Sequence, residues 1–183
     1  MTAPDPQRAL LVRVHAAYER GRLFRALAIA ATVGPMVLAS FAGCGQPSRS
    51  IVLGGLLATV VTIVHWRGGA AARAVAPGLV AGVGSLAFTL VVCRVLEHVA
   101  VRAELALLAC MLAGLATGAA VTVAARRSNE PGLFAIAAGA IAALGGALGC
   151  LSAGFGGVVA LAVGVIASTP IGLLAFRGGP RAR

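Results

Sequence analysis

The stretch PGLFAIAAGAIAALGGALGCLSAGFGGVVALAVGVIASTPIGLLAF, residues 131–176, contains no Asp, Glu, Lys, Arg or His. About 20 residues of helix cross a bilayer core, so this run is long enough to cross twice with a reversal between. The glycine-dense piece from Gly149 to Gly157 lies near its middle, where closely spaced glycines weaken helix and permit a turn. The stretch reads as a transmembrane hairpin.

The rest of the chain agrees with it. Apolar residues make up 60% of the sequence and charged ones 11%, far from the balance of a soluble domain. Apolar runs separated by Arg predict four more spans: 26–45, 50–66, 74–93 and 105–125. The fold expected is all-α, a bundle of six transmembrane helices. Residues 1–25 form a leader, 26–177 the membrane domain and 178–183 a tail. Such spans use up 183 residues and leave no stretch for a separate soluble core. Pro35 should kink the first span, since it lacks a donor and crowds the preceding turn, and Pro170 should bend the last. Trp66 beside Arg67 reads as an interfacial anchor.

A net charge of +10 would point to nucleic acid in a soluble protein, but here topology accounts for it. Twelve arginines (8, 13, 20, 22, 25, 67, 73, 126, 127, 177, 181 and 183) fall on one side of the six spans; Arg49, Arg94 and Arg102 fall on the other. The positive-inside rule then sets both termini in the cytoplasm. All basic residues are Arg, which with the Ala, Gly and Val richness fits a GC-rich bacterial genome and hence the inner membrane. In the leader, Leu10, Val14, Ala17 and Tyr18 recur at helical spacing, with Arg13 and Arg20 flanking them and Glu19 opposite. This predicts a helix lying at the membrane surface, either as a lead-in to the first span or as a docking helix for a protein partner.

Small residues four apart mark close helix packing: Gly78 and Gly82, Gly114 and Gly118, Gly145 and Gly149, and Gly164, Ser168 and Gly172. Packing within the chain is expected for most of these faces. The last triplet is the best seam for a second copy.

With the topology set, Cys44, Cys93, Cys110 and Cys150 all fall in the outer half, with His98 in an outer connection. Cys44 and Cys150 should be the accessible thiols and Cys110 a packed one. The group offers one or two disulfides or a soft-metal site facing an oxidising compartment, set against the plain role of cysteine as a small packing residue. Residues 36–44 are similar to a lipoprotein signal ending at Cys44, which offers lipidation as a further reading. Other motifs fail on context. Gly82-Val83-Gly84-Ser85-Leu86-Ala87 fits a loose dinucleotide pattern but has no preceding strand, and Ser152 has no histidine at membrane depth. His65 reads as a packed interfacial histidine. No acidic residue falls inside a span, which weighs against a proton-coupled carrier. The chain is read as a non-enzyme without a cofactor.

From about Ala103 to Arg177 the layout resembles one family. The Cys110 span is followed by the basic turn Ala124-Ala125-Arg126-Arg127, then a Pro131-led span of small residues ending at Gly149-Cys150, then a last span closing in Phe176-Arg177. This resembles the six-span bacterial membrane anti-sigma factors of the NrsF type. The chain departs from that family after Cys150, where Leu151 to Gly157 are small and apolar. The resemblance implies a cytoplasmic sigma factor as partner and a sensing role for outer cysteines, by position Cys150 and Cys110. On that reading the leader, through Tyr18, Arg20 and Arg22, holds the partner, and a change at the cysteines releases it. The alternatives are a small transporter or channel subunit and an assembly subunit without a switch.

Overall fold

The computed structural model describes residues 6–44, 47–97, 103–151 and 154–174, and every element among them is a helix. Seven helices follow in order: α1 (Pro6–Ala31), α2 (Val33–Cys44), α3 (Pro47–Arg67), α4 (Gly69–Glu97), α5 (Ala103–Ala125), α6 (Pro131–Cys150) and α7 (Phe155–Leu174). Among the described residues, five stretches are long and apolar enough to cross a membrane: Arg13–Gly43, Pro47–Arg67, Gly69–Val95, Glu104–Ala125 and Pro131–Cys150. The chain is an all-helical, multi-pass membrane protein. In α7, Phe155–Ser168 adds a shorter apolar stretch. The tail at 178–183 lies outside the described residues.

The first crossing is made of two helices rather than one kinked helix. The break falls at Thr32, one turn before Pro35. The Pro35 ring crowds the Ala31 carbonyl and has no N–H to offer it, so the regular ladder cannot pass this point. A tight turn takes over, in which the Thr32 N–H donates to the Ile29 carbonyl at 3.1 Å and the Thr32 hydroxyl donates to the same oxygen at 2.6 Å.

The other connections are short. Between α3 and α4, Gly68 and Gly69 take φ of 76° and 67°, a region that suits glycine. Pro131 opens α6, where a missing N–H is harmless. The reversal before α7 falls at Gly154, φ 77°, whose N–H donates to the Leu151 carbonyl at 3.0 Å.

Helix α6 is the centre of the bundle. It touches α2, α3, α4, α5 and α7, and it contributes to all three buried clusters. Its composition explains this: a helix of Ala and Gly has no long side chains to hold neighbours off, so they close on it from several sides. One cluster joins Val33, Met36, Leu57, Val61, Val75 and Leu86 to Ile141 and Leu148. A second packs Ala74, Val121 and Ala125 on Phe134 and Ala138.

Two glycine seams set the register. Along α4 and α6, a Cβ on Gly82 would stand 3.3 Å from the Gly145 Cα, and one on Gly149 would stand 3.0 Å from the Leu86 Cα. Along α5 and α7, a Cβ on Gly164 would stand 2.5 Å from the Met111 carbonyl oxygen and 2.9 Å from the Leu115 nitrogen. Gly118 faces Ser168 on the same seam. The Gly164 and Ser168 face, expected as a seam for a second copy, is therefore occupied by α5 of the same chain. Gly114 and Gly118 offer it a complementary surface at the same spacing, which leaves no room for another helix.

Buried hydroxyls tie the far end of α2 into the bundle. Ser40 donates to the Leu148 carbonyl at 2.7 Å and its oxygen lies 3.1 Å from that of Ser50, with both serines fully buried. Interhelical bonds of this kind contribute about 1 kcal/mol in membranes. The variant S40A should therefore lose about 1 kcal/mol in SDS unfolding titrations. T59A, whose hydroxyl bonds only within its own helix to the Gly55 carbonyl, should lose less.

Candidate functional site

Two places bring together side chains whose chemistry is not explained by packing. They lie at opposite ends of the bundle.

The first is a pair of thiols. Cys110, on α5, and Cys150, in the last turn of α6, are both fully buried and near enough to interact with one another. They share a cluster with Ala113 and Leu161. The Thr89 hydroxyl of α4 stands 3.9 Å from the Cys150 sulphur. Cys93, one turn further along α4 and half-buried, is near enough to Cys150 to interact with it electrostatically. Cys110 and Cys150 are free thiols. The glycine seams produce this meeting, because Gly149 admits α4 beside Cys150 and Gly114 locks α5 one turn from Cys110.

Cys150 was expected to be accessible in the turn of the hairpin. It is instead inside helix and inside protein, because Gly145, Gly146 and Gly149 serve close helix approach and leave the reversal to Gly154. Cys110 is packed as expected, but its neighbour is another thiol. His98 lies outside the described residues, as does the side chain of Cys44, whose backbone ends α2. Among the described residues no group of three or more His, Cys, Asp or Glu side chains could hold a metal ion. What two adjacent thiols can do is two-electron chemistry.

The second place is where α1 leaves the bundle. Arg22 donates a hydrogen bond to the Trp66 carbonyl at the end of α3. The guanidinium carbon also lies 5.8 Å from the centre of the Tyr18 ring, within cation–π range. This fixes position 22 of α1 at the level of Trp66 and Arg67, where an interfacial tryptophan sits. Helix α1 runs without a break from Pro6 to Ala31, so at 1.5 Å per residue the part before Arg22 extends about 24 Å past that level. A continuous helix cannot both enter the bilayer with the first crossing and lie flat on its surface. The leader therefore continues the axis of the first crossing past the level of Trp66, where a helix lying in the membrane surface was expected.

On this projecting part Leu10, Leu11, Val14 and Tyr18 are 66%, 67%, 60% and 63% exposed. They form an apolar stripe at helical spacing, interrupted by charged residues: Arg13 and Arg20 are exposed, and His15 Nε2 lies 3.6 Å from a Glu19 carboxylate oxygen one turn on. Of the three residues expected to hold a partner, Tyr18 and Arg20 are exposed on the projecting part. Arg22 is half-buried and engaged with α3. The pattern of the leader contained no sign of the Arg22 contact, because Trp66 is distant in sequence. Compared with known proteins, the chain matches no family model, no curated protein and no solved structure.

Proposed function

We propose that the chain is a six-span regulatory protein of a bacterial inner membrane, with both termini in the cytoplasm, that holds a cytoplasmic protein on its leader and releases it when the thiol pair is oxidised. The observation that supports this best is the projecting α1: four large apolar side chains, Leu10, Leu11, Val14 and Tyr18, stand past the level of Trp66 with most of their surface exposed. Exposed apolar stripes of this kind mark protein contact sites, and an amphipathic helix fits the groove of a partner. The resemblance to NrsF-type anti-sigma factors makes a sigma factor the first partner to test. The arginine count supports the sidedness, and the apolar stretch Phe155–Ser168 of α7 supports a sixth crossing.

The switch is written in terms of Cys110 and Cys150. A peroxide, small and uncharged enough to reach a buried site, takes two electrons and both thiol protons and becomes two waters, while an Sγ–Sγ bond forms between α5 and α6. Drawing α5 onto α6 moves the helices on which the first crossing packs, and the leader moves with it.

Affinity purification from membranes tests the docking role. Full-length protein should recover a partner that is at least about tenfold depleted with the Y18A/V14D double variant, as expected for loss of an aromatic anchor. Recovery of the same proteins in the same amounts would end this reading.

The rival, a small transporter or channel subunit, has one feature in its favour. A groove of about 540 Å³ between α4 and α5 holds the Ser85 hydroxyl, which has no hydrogen-bond partner, with Thr117 also on its wall. Its remaining wall is apolar side chains such as Phe88 and Leu112, which suit lipid better than a polar solute.

A further inference from the structure

Beside the Arg22 contact is a cavity of about 490 Å³, walled by Tyr18, Arg22, Arg25, His65, Arg67 and the start of α4 at Gly69. Three arginines line it, and among the described residues that line it there is no carboxylate. Like charges gathered in this way raise the free energy of the fold unless an anion joins them. Two further features point the same way. His65 Nδ1 is a buried polar atom without a hydrogen-bond partner, a group that folded proteins nearly always satisfy. The N-terminus of the 29-residue α4 opens on the cavity through Gly69, bringing free backbone N–H groups and the positive end of the helix dipole. Arg22 has donors to spare, since its bond to the Trp66 carbonyl uses only part of a five-donor fork.

We propose that this cavity binds a phosphate-bearing anion. Arg25 and Arg67 supply the paired, planar donors that suit phosphate oxygens, and His65 Nδ1–H and the α4 amides take the remaining lone pairs. The volume exceeds what inorganic phosphate needs and falls in the range of small-molecule sites, so the ligand carries a larger group on its phosphate. A phospholipid headgroup and a soluble phosphate ester share this chemistry. The cavity lies at the level of Trp66, where the first can reach it from the bilayer and the second from water. This site shares Tyr18 with the apolar stripe, but the groups that bind the anion, Arg25, Arg67 and His65, lie outside the stripe, so it does not rest on the partner reading.

Trp66 is the only tryptophan in the chain and lies between the lining residues His65 and Arg67, so all tryptophan emission comes from beside this cavity. The full-length protein in phosphatidylcholine nanodiscs is titrated in two arms: with glycerol phosphate at constant ionic strength, and, in separate discs, with increasing phosphatidylglycerol at constant total lipid. A saturable change in Trp66 emission in either arm, weakened at least about tenfold in R25Q/R67Q, supports the site, and the arm that responds names the source. R126Q/R127Q, at the α5–α6 turn, should titrate like the unaltered chain. If the double variant does not fold, R67Q alone, at an exposed guanidinium, takes its place with a smaller loss. The proposal is overturned if neither arm saturates, if R67Q and R25Q/R67Q titrate like the unaltered chain, or if R126Q/R127Q loses as much.

Discussion

Gly164→Val should lower the unfolding free energy by about 3 kcal/mol, at the upper end of what overpacking does. The obstacle decides the magnitude. A Cβ at this position meets the Met111 oxygen, the Leu115 nitrogen and the Gly114 carbonyl carbon, all of them backbone atoms that cannot rotate aside. Relief requires α7 to back away from α5 along its length, and dispersion contacts on both sides of the seam are lost with it. At Gly139 a Cβ meets nothing within 4 Å, so Gly139→Ala should be neutral or stabilise by up to about 1 kcal/mol through helix propensity alone. SDS titrations followed by circular dichroism measure both. Equal effects from the two substitutions would mean that α5 and α7 do not meet at Gly114 and Gly164.

Oxidising the purified protein with hydrogen peroxide should join Cys110 to Cys150 and raise stability by about 4 kcal/mol, the chain-entropy value for a loop of this length. Both thiols already lie in one buried cluster, so little rearrangement precedes the bond. Peptide mapping should find these two residues linked, and C110A should abolish both the link and the gain. The stabilised, oxidised protein should also recover less partner than the reduced one. A link from Cys93 to Cys150 in place of the expected one would identify the wrong pair. Linkage without any change in partner recovery would separate the thiols from the leader.

The membrane class was legible because it depends on composition alone: long runs without charge between arginines have one stable solvent. The packing faces were legible for a related reason, since small residues four apart can serve close approach and little else in a membrane helix. What the pattern could not tell was which face meets which. Gly164 and Ser168 looked as suitable for a second copy as for Gly114 and Gly118, and only the fold of α5 against α7 decides between them. Cys150 was misread for a local reason. The glycine-dense piece from Gly149 to Gly157 reads as a turn throughout, whereas Gly149 stays helical and admits α4, and the reversal falls at Gly154. The Arg22 bond to Trp66 and the cavity beside it join α1, α3 and α4, and no periodicity within one helix announces a meeting of three.

The break at Thr32 gives the first crossing a fulcrum. From there α1 is one stiff rod to Pro6, and Leu10 sits about 33 Å away along it at 1.5 Å per residue. A swing of about 5° at this joint carries Leu10 sideways by about 3 Å, while Arg22, less than half as far out, moves by about 1 Å. The leader is thus the long arm of a lever. Displacements too small to disturb the bundle's own packing arrive at its tip large enough to spoil the fit of a bound protein.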